Sequence, residues 1–234
     1  MHAVIMAGGE GTRLRPLTSE LPKPLVPVAN QPVMETILRH LAAHGFKNVT
    51  ATLHYLPPLI KSVFGDGEQF GVSLSYREEI RPLGTAGSVR MTQGMFPGDF
   101  LVISGDCLTD IDLTDAVAFH LKKAAVATIV LKRVARPLEY GIVVTDGDGR
   151  ILRFLEKPGW GEVFSDTANT GIYILSPEIF KYYPETEAPD FSRDVFPRVL
   201  EEKAGLYGYI AEGYWCDIGD PSVYMQANRD VLDG

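Results

Sequence analysis

An apolar strand at the start of the chain runs straight into three closely spaced glycines: HAVIMA, residues 2–7, then GGEG, residues 8–11. A run of this kind, polar only at His2, reads as a strand buried on both faces, the habit of a central strand in a parallel sheet. The glycines that end it allow a tight turn and let bare amide N–H groups approach an anion. Arg13, Arg15 and Lys23 follow closely. Lys23 lies between Pro22 and Pro24, which predicts a restricted, extended backbone holding a flexible ammonium on target. Fixed N–H donors with long cations suit a polyphosphate. The plain alternative is a strand-to-loop turn with surface cations. Thr12-Arg13 and Pro22-Lys23-Pro24 together weigh against it.

Two familiar phosphate loops fail here. A dinucleotide fingerprint needs a third glycine and a helix opening at once. Gly9 and Gly11 fit, but Leu14 takes the third place and Pro16 follows. A P-loop needs glycine, lysine and a hydroxyl in adjacent positions, and no such string occurs.

The remainder alternates between strand and helix patterns, the mark of an α/β layer fold. Val33, Met34, Ile37, Leu38 and Leu41 fall at helical spacing, with Gly45 as the stop. Strands are expected over 48–54, VSLSYR, FLVISGD, AVATIVLKRV, TGIYILS, LYGYIAEG and YWCDIG. Pro57-Pro58 opens a second helix that Gly65 closes, and a third is expected from Gly84 to about Met95. Thr114 is the expected N-cap of a helix to Lys123, and Ser192 that of a later one. Asp220-Pro221 opens the last helix. Asp146-Gly147-Asp148-Gly149 reads as a hairpin turn.

With 234 residues, 45% of them apolar, the chain can bury one substantial core. A net charge of −8 argues against a general nucleic-acid binder but leaves room for a local basic pocket. No eighteen-residue apolar run predicts a membrane span, and no secretory pattern opens the chain. Two distant cysteines, Cys107 and Cys216, fit a reducing cytoplasm rather than a disulfide scaffold.

The segment MAGGEGTRLRPLTSELPKP resembles the signature of the sugar-1-phosphate nucleotidyltransferases, the nucleotide-sugar pyrophosphorylases. Further motifs follow in family order: PLGTAGSV at 82–89, ISGD at 103–106, EKP at 156–158 and WCDIGD at 215–220. The motifs are most similar to those of mannose-1-phosphate guanylyltransferase-like members. The resemblance implies a three-layer α/β/α, Rossmann-like fold with a mixed, mostly parallel central sheet. Residues 1–234 would be a single catalytic domain, and longer family members commonly continue into a left-handed β-helix. A stand-alone domain and the N-terminal domain of a longer protein both stay open, as does a homo-oligomer.

For the site, the resemblance implies catalytic roles for Arg13 and Lys23 on the nucleotide phosphates. Ala7, Gly8, Gly9, Gly11, Thr12, Glu79, Gly84 and Thr85 would contact the nucleotide. The carboxylate of Glu79, or of its neighbour Glu78, could accept from the N1 and N2 donors of guanine. Gly141, Glu156, Lys157 and Asn169 would hold the sugar phosphate. Asp106 and Asp217 end strand patterns, and two hard carboxylates suit Mg²⁺, which keeps waters and phosphate oxygens as its other ligands. If these aspartates face a metal, the adjoining cysteines should face away into packing.

The expected reaction joins an NTP, GTP by preference, to a sugar 1-phosphate, mannose 1-phosphate by preference. Glucose 1-phosphate with UTP or dTTP is the alternative. A regulatory subunit that binds without turnover is another, disfavoured by the presence of Lys23, Asp106 and Asp217. Asp110-Ile111-Asp112 matches the D-x-D letters of a glycosyltransferase, and a helix cap explains it more simply. His40 and His44 have metal-like spacing but read as a solvated helix end.

Overall fold

The computed structural model describes residues 1–137, 140–156 and 165–233. In chain order the first elements are β1 (His2–Ala7), β2 (Pro27–Val28), β3 (Gln31–Pro32), α1 (Val33–Ala43), β4 (Asn48–Leu53), α2 (Pro57–Phe64) and β5 (Ser73–Glu78). Next come α3 (Gly84–Arg90), β6 (Phe100–Ser104), β7 (Cys107–Thr109), α4 (Leu113–Lys123), β8 (Ala127–Arg133), β9 (Ile142–Thr145) and β10 (Ile151–Leu155). The last are β11 (Thr167–Leu175), α5 (Phe196–Glu201), β12 (Leu206–Ile210), β13 (Trp215–Asp217) and α6 (Pro221–Asp233). No helix among the described residues is long and apolar enough to cross a membrane.

The chain forms two compact units. The first comprises Met1–Pro82, Ile103–Ile111 and Gly213–Gly234. Here β1, β4 and β5 run parallel, in register from His2 opposite Asn48 to Leu53 opposite Glu78. Parallel neighbours need crossovers, and α1 and α2 supply them. Ala3, Val4 and Ile5 are fully buried, as β1's apolar run requires. So are Met34, Leu38 and Leu41 on the inward stripe of α1. The Gly105 N–H donates to the carbonyl of Met6, which brings the end of β6 beside the end of β1. A Cβ at Gly105 would stand 2.8 Å from that same carbonyl oxygen, so the approach requires glycine. In an α/β sheet ligands gather beyond the carboxyl ends of the strands. The glycine loop after β1, Glu79 after β5 and Asp106 after β6 all occupy such ends.

The second unit comprises Leu83–Val102 and Asp112–Glu212. Its β8 pairs antiparallel with β11 and parallel with β12. β11 also meets β9, which forms the expected hairpin with β10. In the turn, Asp146 Oδ1 accepts from the amides of Asp148 and Arg150. Phe191 and Phe196 stack at 5.3 Å, with Tyr173 5.2 and 5.0 Å from them.

Several local expectations are corrected. Thr114 is not the cap of α4; Asp112, in the triplet also read as a helix cap, takes that place, its Oδ1 accepting from the Thr114 and Asp115 amides. Asp190, rather than Ser192, caps the turn over Phe191–Val195, accepting from the amides of Ser192 and Arg193. In both places a carboxylate lies two residues ahead of the hydroxyl and reaches the orphan amides first. α3 stops at Arg90, well short of Met95, and Gly94 follows with a positive φ of 79°. Lys23 opens a 3₁₀ turn over Lys23–Leu25 instead of lying in extended chain, while Pro22 before it is extended. Asp220 caps α6 as expected, through Ser222 and Val223.

Candidate active site

In the first unit Lys23, Asp106 and Asp217 converge. β7 and β13 pair antiparallel with Asp217 opposite Cys107, and the Ile218 amide donates to the Asp106 carbonyl. That pairing sets two carboxylates side by side although they are remote in sequence. Lys23 Nζ donates to Asp106 Oδ2 and lies 3.9 Å from Asp217 Oδ1. The Lys23 side chain is 12% exposed, so its charge acts with little screening. Burial pushes the Asp106 carboxyl up, but the Lys23 ammonium, by charge and hydrogen bond, pulls it below the ordinary value, with help from Ser104. For Asp217 burial and the neighbouring charge of Asp106 win over Lys23 and Arg13, raising it to about 7. The pair thus shows two like charges gathered around one cation.

The glycine loop builds the rim of this cluster. Gly11 has a φ of 64°, and a Cβ there would stand 3.0 Å from Thr18 Cγ2 and 3.3 Å from Lys23 Cβ. The buried Thr18 hydroxyl donates to the Gly11 carbonyl at 2.7 Å, which holds the loop against the Lys23 turn. Thr12 and Arg13 are exposed in the 3₁₀ turn that follows. The Arg13 guanidinium lies over Gly219, its Nη1 3.3 Å from where a Cβ would be. Ala7 is buried at the strand end and Gly9 is open, with nothing within 4 Å of a Cβ position. Gly8 faces Glu79, whose Oε1 would be 2.8 Å from a Cβ. Glu79 is buried and its backbone is tied to Leu53 and His54. Glu78 instead pairs with Lys61 on the surface, so the structure separates two glutamates that the sequence left together.

In the second unit Gly141, Glu156 and Asn169 meet. A Cβ at Gly141 would lie 2.6 Å from Glu156 Oε2 and 3.6 Å from Asn169 Cβ, and the Asn169 amide donates to the Gly141 carbonyl. Lys157 lies outside the described residues. Gly84 and Thr85 are already engaged by protein. A Cβ at Gly84 would meet the Pro189 carbonyl at 2.6 Å, and Thr85 Oγ1 donates to Asp190 Oδ2 at 2.8 Å.

Tyr173 and Asp190 carry no sequence signal for this cluster, and Ser192 reads in the sequence only as a helix cap. Asn169 Nδ2 donates to the Tyr173 hydroxyl at 3.2 Å and to Ser192 Oγ at 3.3 Å. Two residues that far apart on a regular strand would not touch. Here Asn169 pairs with Leu131 and Tyr173 with Ile129, so the strand bulges between them. Gly171, with a φ of 76°, was the available signal. Burial pushes the Tyr173 hydroxyl far above its ordinary range, so it stays neutral.

Other candidates resolve into packing. Cys107 is buried and Cys216 half-buried, and burial raises both thiols. Asp110 accepts from the Tyr214 amide, and Asp112 is the α4 cap. His40 bonds the Ile111 carbonyl at 2.9 Å, so it is tied into the fold rather than solvated.

The model of the nucleotidyl transferase family matches residues 2–234. A UTP–glucose-1-phosphate uridylyltransferase of Synechocystis is 41% identical over 246 residues, covering 99% of this chain and 63% of that protein. A mannose-1-phosphate guanylyltransferase of Mycobacterium tuberculosis is 35% identical over 236 residues, covering 100% and 65%. The chain therefore spans just under two thirds of the length of these curated relatives. Among solved structures, a candidate glucose-1-phosphate thymidylyltransferase from Bacillus anthracis, in complex with sucrose, superposes with a TM-score of 0.90 at 25% identity, covering 100% of this chain and 96% of that one. HddC from Yersinia pseudotuberculosis complexed with GMP-PN gives 0.82 at 26%, covering 99% and 100%. The α/β fold with a mixed sheet is the one these neighbours share.

Proposed function

The chain belongs to the nucleotidyl transferase family, and from that membership we propose that it joins a nucleoside triphosphate to a sugar 1-phosphate, forming a nucleotide-sugar and pyrophosphate. The observation that carries the reading is the Lys23 ammonium held by Asp106 and Asp217 beside an open glycine loop. A phosphate oxygen of the sugar 1-phosphate attacks the α-phosphorus in line, the P–O bond to the β-phosphate breaks, and pyrophosphate leaves with that electron pair. No protein nucleophile is needed. Both substrates are anions, so catalysis consists of positioning and charge cancellation.

Lys23 and Arg13 bring positive charge to the triphosphate, and the backbone of Gly8, Gly9, Gly11 and Thr12 approaches it closely. Gly141, Glu156 and Asn169 take the sugar hydroxyls, with Lys157 on the sugar phosphate. Asp106 and Asp217 fit Mg²⁺: they are hard oxygen donors already gathered around one cation. When bound there, the ion would neutralise phosphate charge. The family model runs through both compact units, which supports treating 1–234 as one catalytic domain. Use of a nucleoside triphosphate also fits a cytoplasmic location.

For the substrate pair, GTP and mannose 1-phosphate is the first reading. The buried Glu79 carboxylate beside Gly8 supports it, since guanine offers two donors to one carboxylate. UTP and glucose 1-phosphate is the second, favoured by the 41% identity to the uridylyltransferase. The test is pyrophosphate release from each NTP with a panel of sugar 1-phosphates, with Mg²⁺ or EDTA. GTP-dependent release with mannose 1-phosphate bears out the first reading, and UTP with glucose 1-phosphate the second. Binding of nucleotide-sugar without release in any pairing refutes the catalytic assignment.

A further inference from the structure

Residues 184–191 grip the start of α3. The amides of Ala86 and Gly87, which a helix N-terminus would otherwise leave orphaned, donate to the Pro189 carbonyl at 3.0 and 3.1 Å. Arg90 Nη2 donates to the Thr186 carbonyl at 3.1 Å. The Thr85 hydroxyl is used twice, donating to Asp190 Oδ2 and accepting from the Phe191 amide at 3.0 Å. Gly84 closes the contact, because any side chain there would drive into the Pro189 carbonyl.

The same aspartate reaches the other way. Asp190 Oδ1 takes the amides of Ser192 and Arg193, at 2.8 and 3.2 Å. Ser192 Oγ accepts from Asn169 Nδ2, and Asn169 Oδ1 accepts from the Gly171 amide at 3.0 Å. Asn169 in turn backs onto Gly141 and so onto Glu156. A continuous line of hydrogen bonds therefore runs from Thr85 through Asp190 and Ser192 to Asn169. The neighbouring aromatic rings of Tyr173, Phe191 and Phe196 pack beside it and leave its members little freedom to drift.

We infer that Asp190 is a positioning residue which sets the nucleotide-contacting loop at Gly84–Thr85 against the sugar-contacting Asn169, so that binding of one substrate orders the subsite of the other. The inference rests on the proposed reaction for the naming of the two subsites. Thr85 then serves the nucleotide through its backbone, because its hydroxyl is committed to Asp190. The two oxygens of Asp190 have separable tasks: Oδ1 caps a turn, and Oδ2 holds the loop.

Thr85→Val removes the hydroxyl contact and leaves the cap. Ser192→Ala breaks the far end of the line and keeps the Asp190 cap, which uses the backbone amide. The expected result is a cross effect. Thr85→Val raises KM for sugar 1-phosphate about five-fold, and Ser192→Ala raises KM for NTP by about as much, the low end of measured site-to-site coupling. In the double variant the increases do not multiply, because both substitutions cut one line. Substitutions that affect only their own substrate, or effects that multiply, overturn the inference. Amide exchange on the full chain reads the same coupling without turnover: Thr85→Val should speed exchange at residues 169–171. Should the wild-type protein release no pyrophosphate in any pairing, the proposed reaction fails, and unchanged exchange at 169–171 in Thr85→Val would separately defeat the coupling.

Discussion

Gly9→Ala separates a ligand role for the glycine loop from a folding role. Around Gly9 the structure is empty: a Cβ would find no heavy atom within 4 Å, and the residue is absent from the positive-φ positions. An alanine therefore fits without strain. By restricting the unfolded chain it should stabilise the fold by about 0.4–1 kcal/mol, which for a domain of this size raises the melting temperature by about 1–4 °C. The function should move the other way. If the loop backbone lies against a triphosphate, a methyl group projects into the approach, and loss of about 1.4 kcal/mol of binding is a ten-fold rise in KM for NTP. Gly8→Ala is the contrasting variant. Its Cβ would sit 2.8 Å from Glu79 Oε1 and 3.4 Å from His54 Cβ, so the Glu79 carboxylate must shift and the stabilisation expected at Gly9 should be absent. The assays are thermal melting and pyrophosphate release at saturating sugar 1-phosphate. A Gly9→Ala protein with the expected melting temperature and an unaltered KM for NTP refutes the claim that bare backbone at Gly9 meets the nucleotide.

Asp217→Asn should retain the circular dichroism of the parent and lose turnover by about 100-fold or more, as when a single group stabilising transition-state charge is removed; near-normal activity at saturating Mg²⁺ would remove Asp217 from the site. Asp112→Ala should lower stability by about 1 kcal/mol through loss of the α4 cap, and denaturant melts that show no loss would contradict the cap assignment. His120 is buried with Nδ1 2.8 Å from Thr128 Oγ1, and burial lowers its pKa despite the opposing pull of Asp99. Its folded value thus lies below the unfolded 6.5, so its contribution to stability is intact above that pH and lost as pH falls through the folded value. Melting temperatures measured from pH 7.5 to 5 should fall less steeply in His120→Gln than in the parent, and equal slopes would show that another group governs the decline.

What the sequence could disclose follows from the range over which each signal acts. β1, α1, β4 and α2 were readable because apolar spacing and the prolines and glycines at their ends are written locally. The approach of Asp106 to Asp217 was readable only through motifs, since β7 and β13 are three-residue strands with little pattern of their own. The cap of α4 is legible only as a choice, since short-range rules accept both Thr114 and the Asp110-Ile111-Asp112 triplet, and the choice falls to whichever acceptor the fold brings nearest. At α4 that acceptor is Asp112, two residues ahead. The start of α3 at Gly84 is legible, but the partner of its first amides is not: it is the carbonyl of Pro189, some hundred residues later, and nothing in PLGTAGSVR names it. Lys23 opens a 3₁₀ turn closed by the Val26 amide on the Lys23 carbonyl, with the Gly11 loop close beside it, an arrangement no pair of flanking prolines expresses.

The fold changes the meaning of a motif. PLGTAG reads most simply as a loop whose glycines admit a ligand. In the folded chain Gly84 admits a carbonyl of its own protein, and the amides of Ala86 and Gly87 are spent on that carbonyl. A substitution at Gly84 would therefore disturb the loop even if no ligand atom ever touched that residue, because a Cβ must displace the segment that fixes it. Gly9 is the opposite case: its surroundings hold nothing that requires glycine, so the fold itself tolerates a side chain there. Glycine within a nucleotide motif is thus evidence for contact with ligand only after the protein's own demands on that position have been subtracted, and in this chain the subtraction leaves Gly9 as the residue whose replacement tests the site most directly.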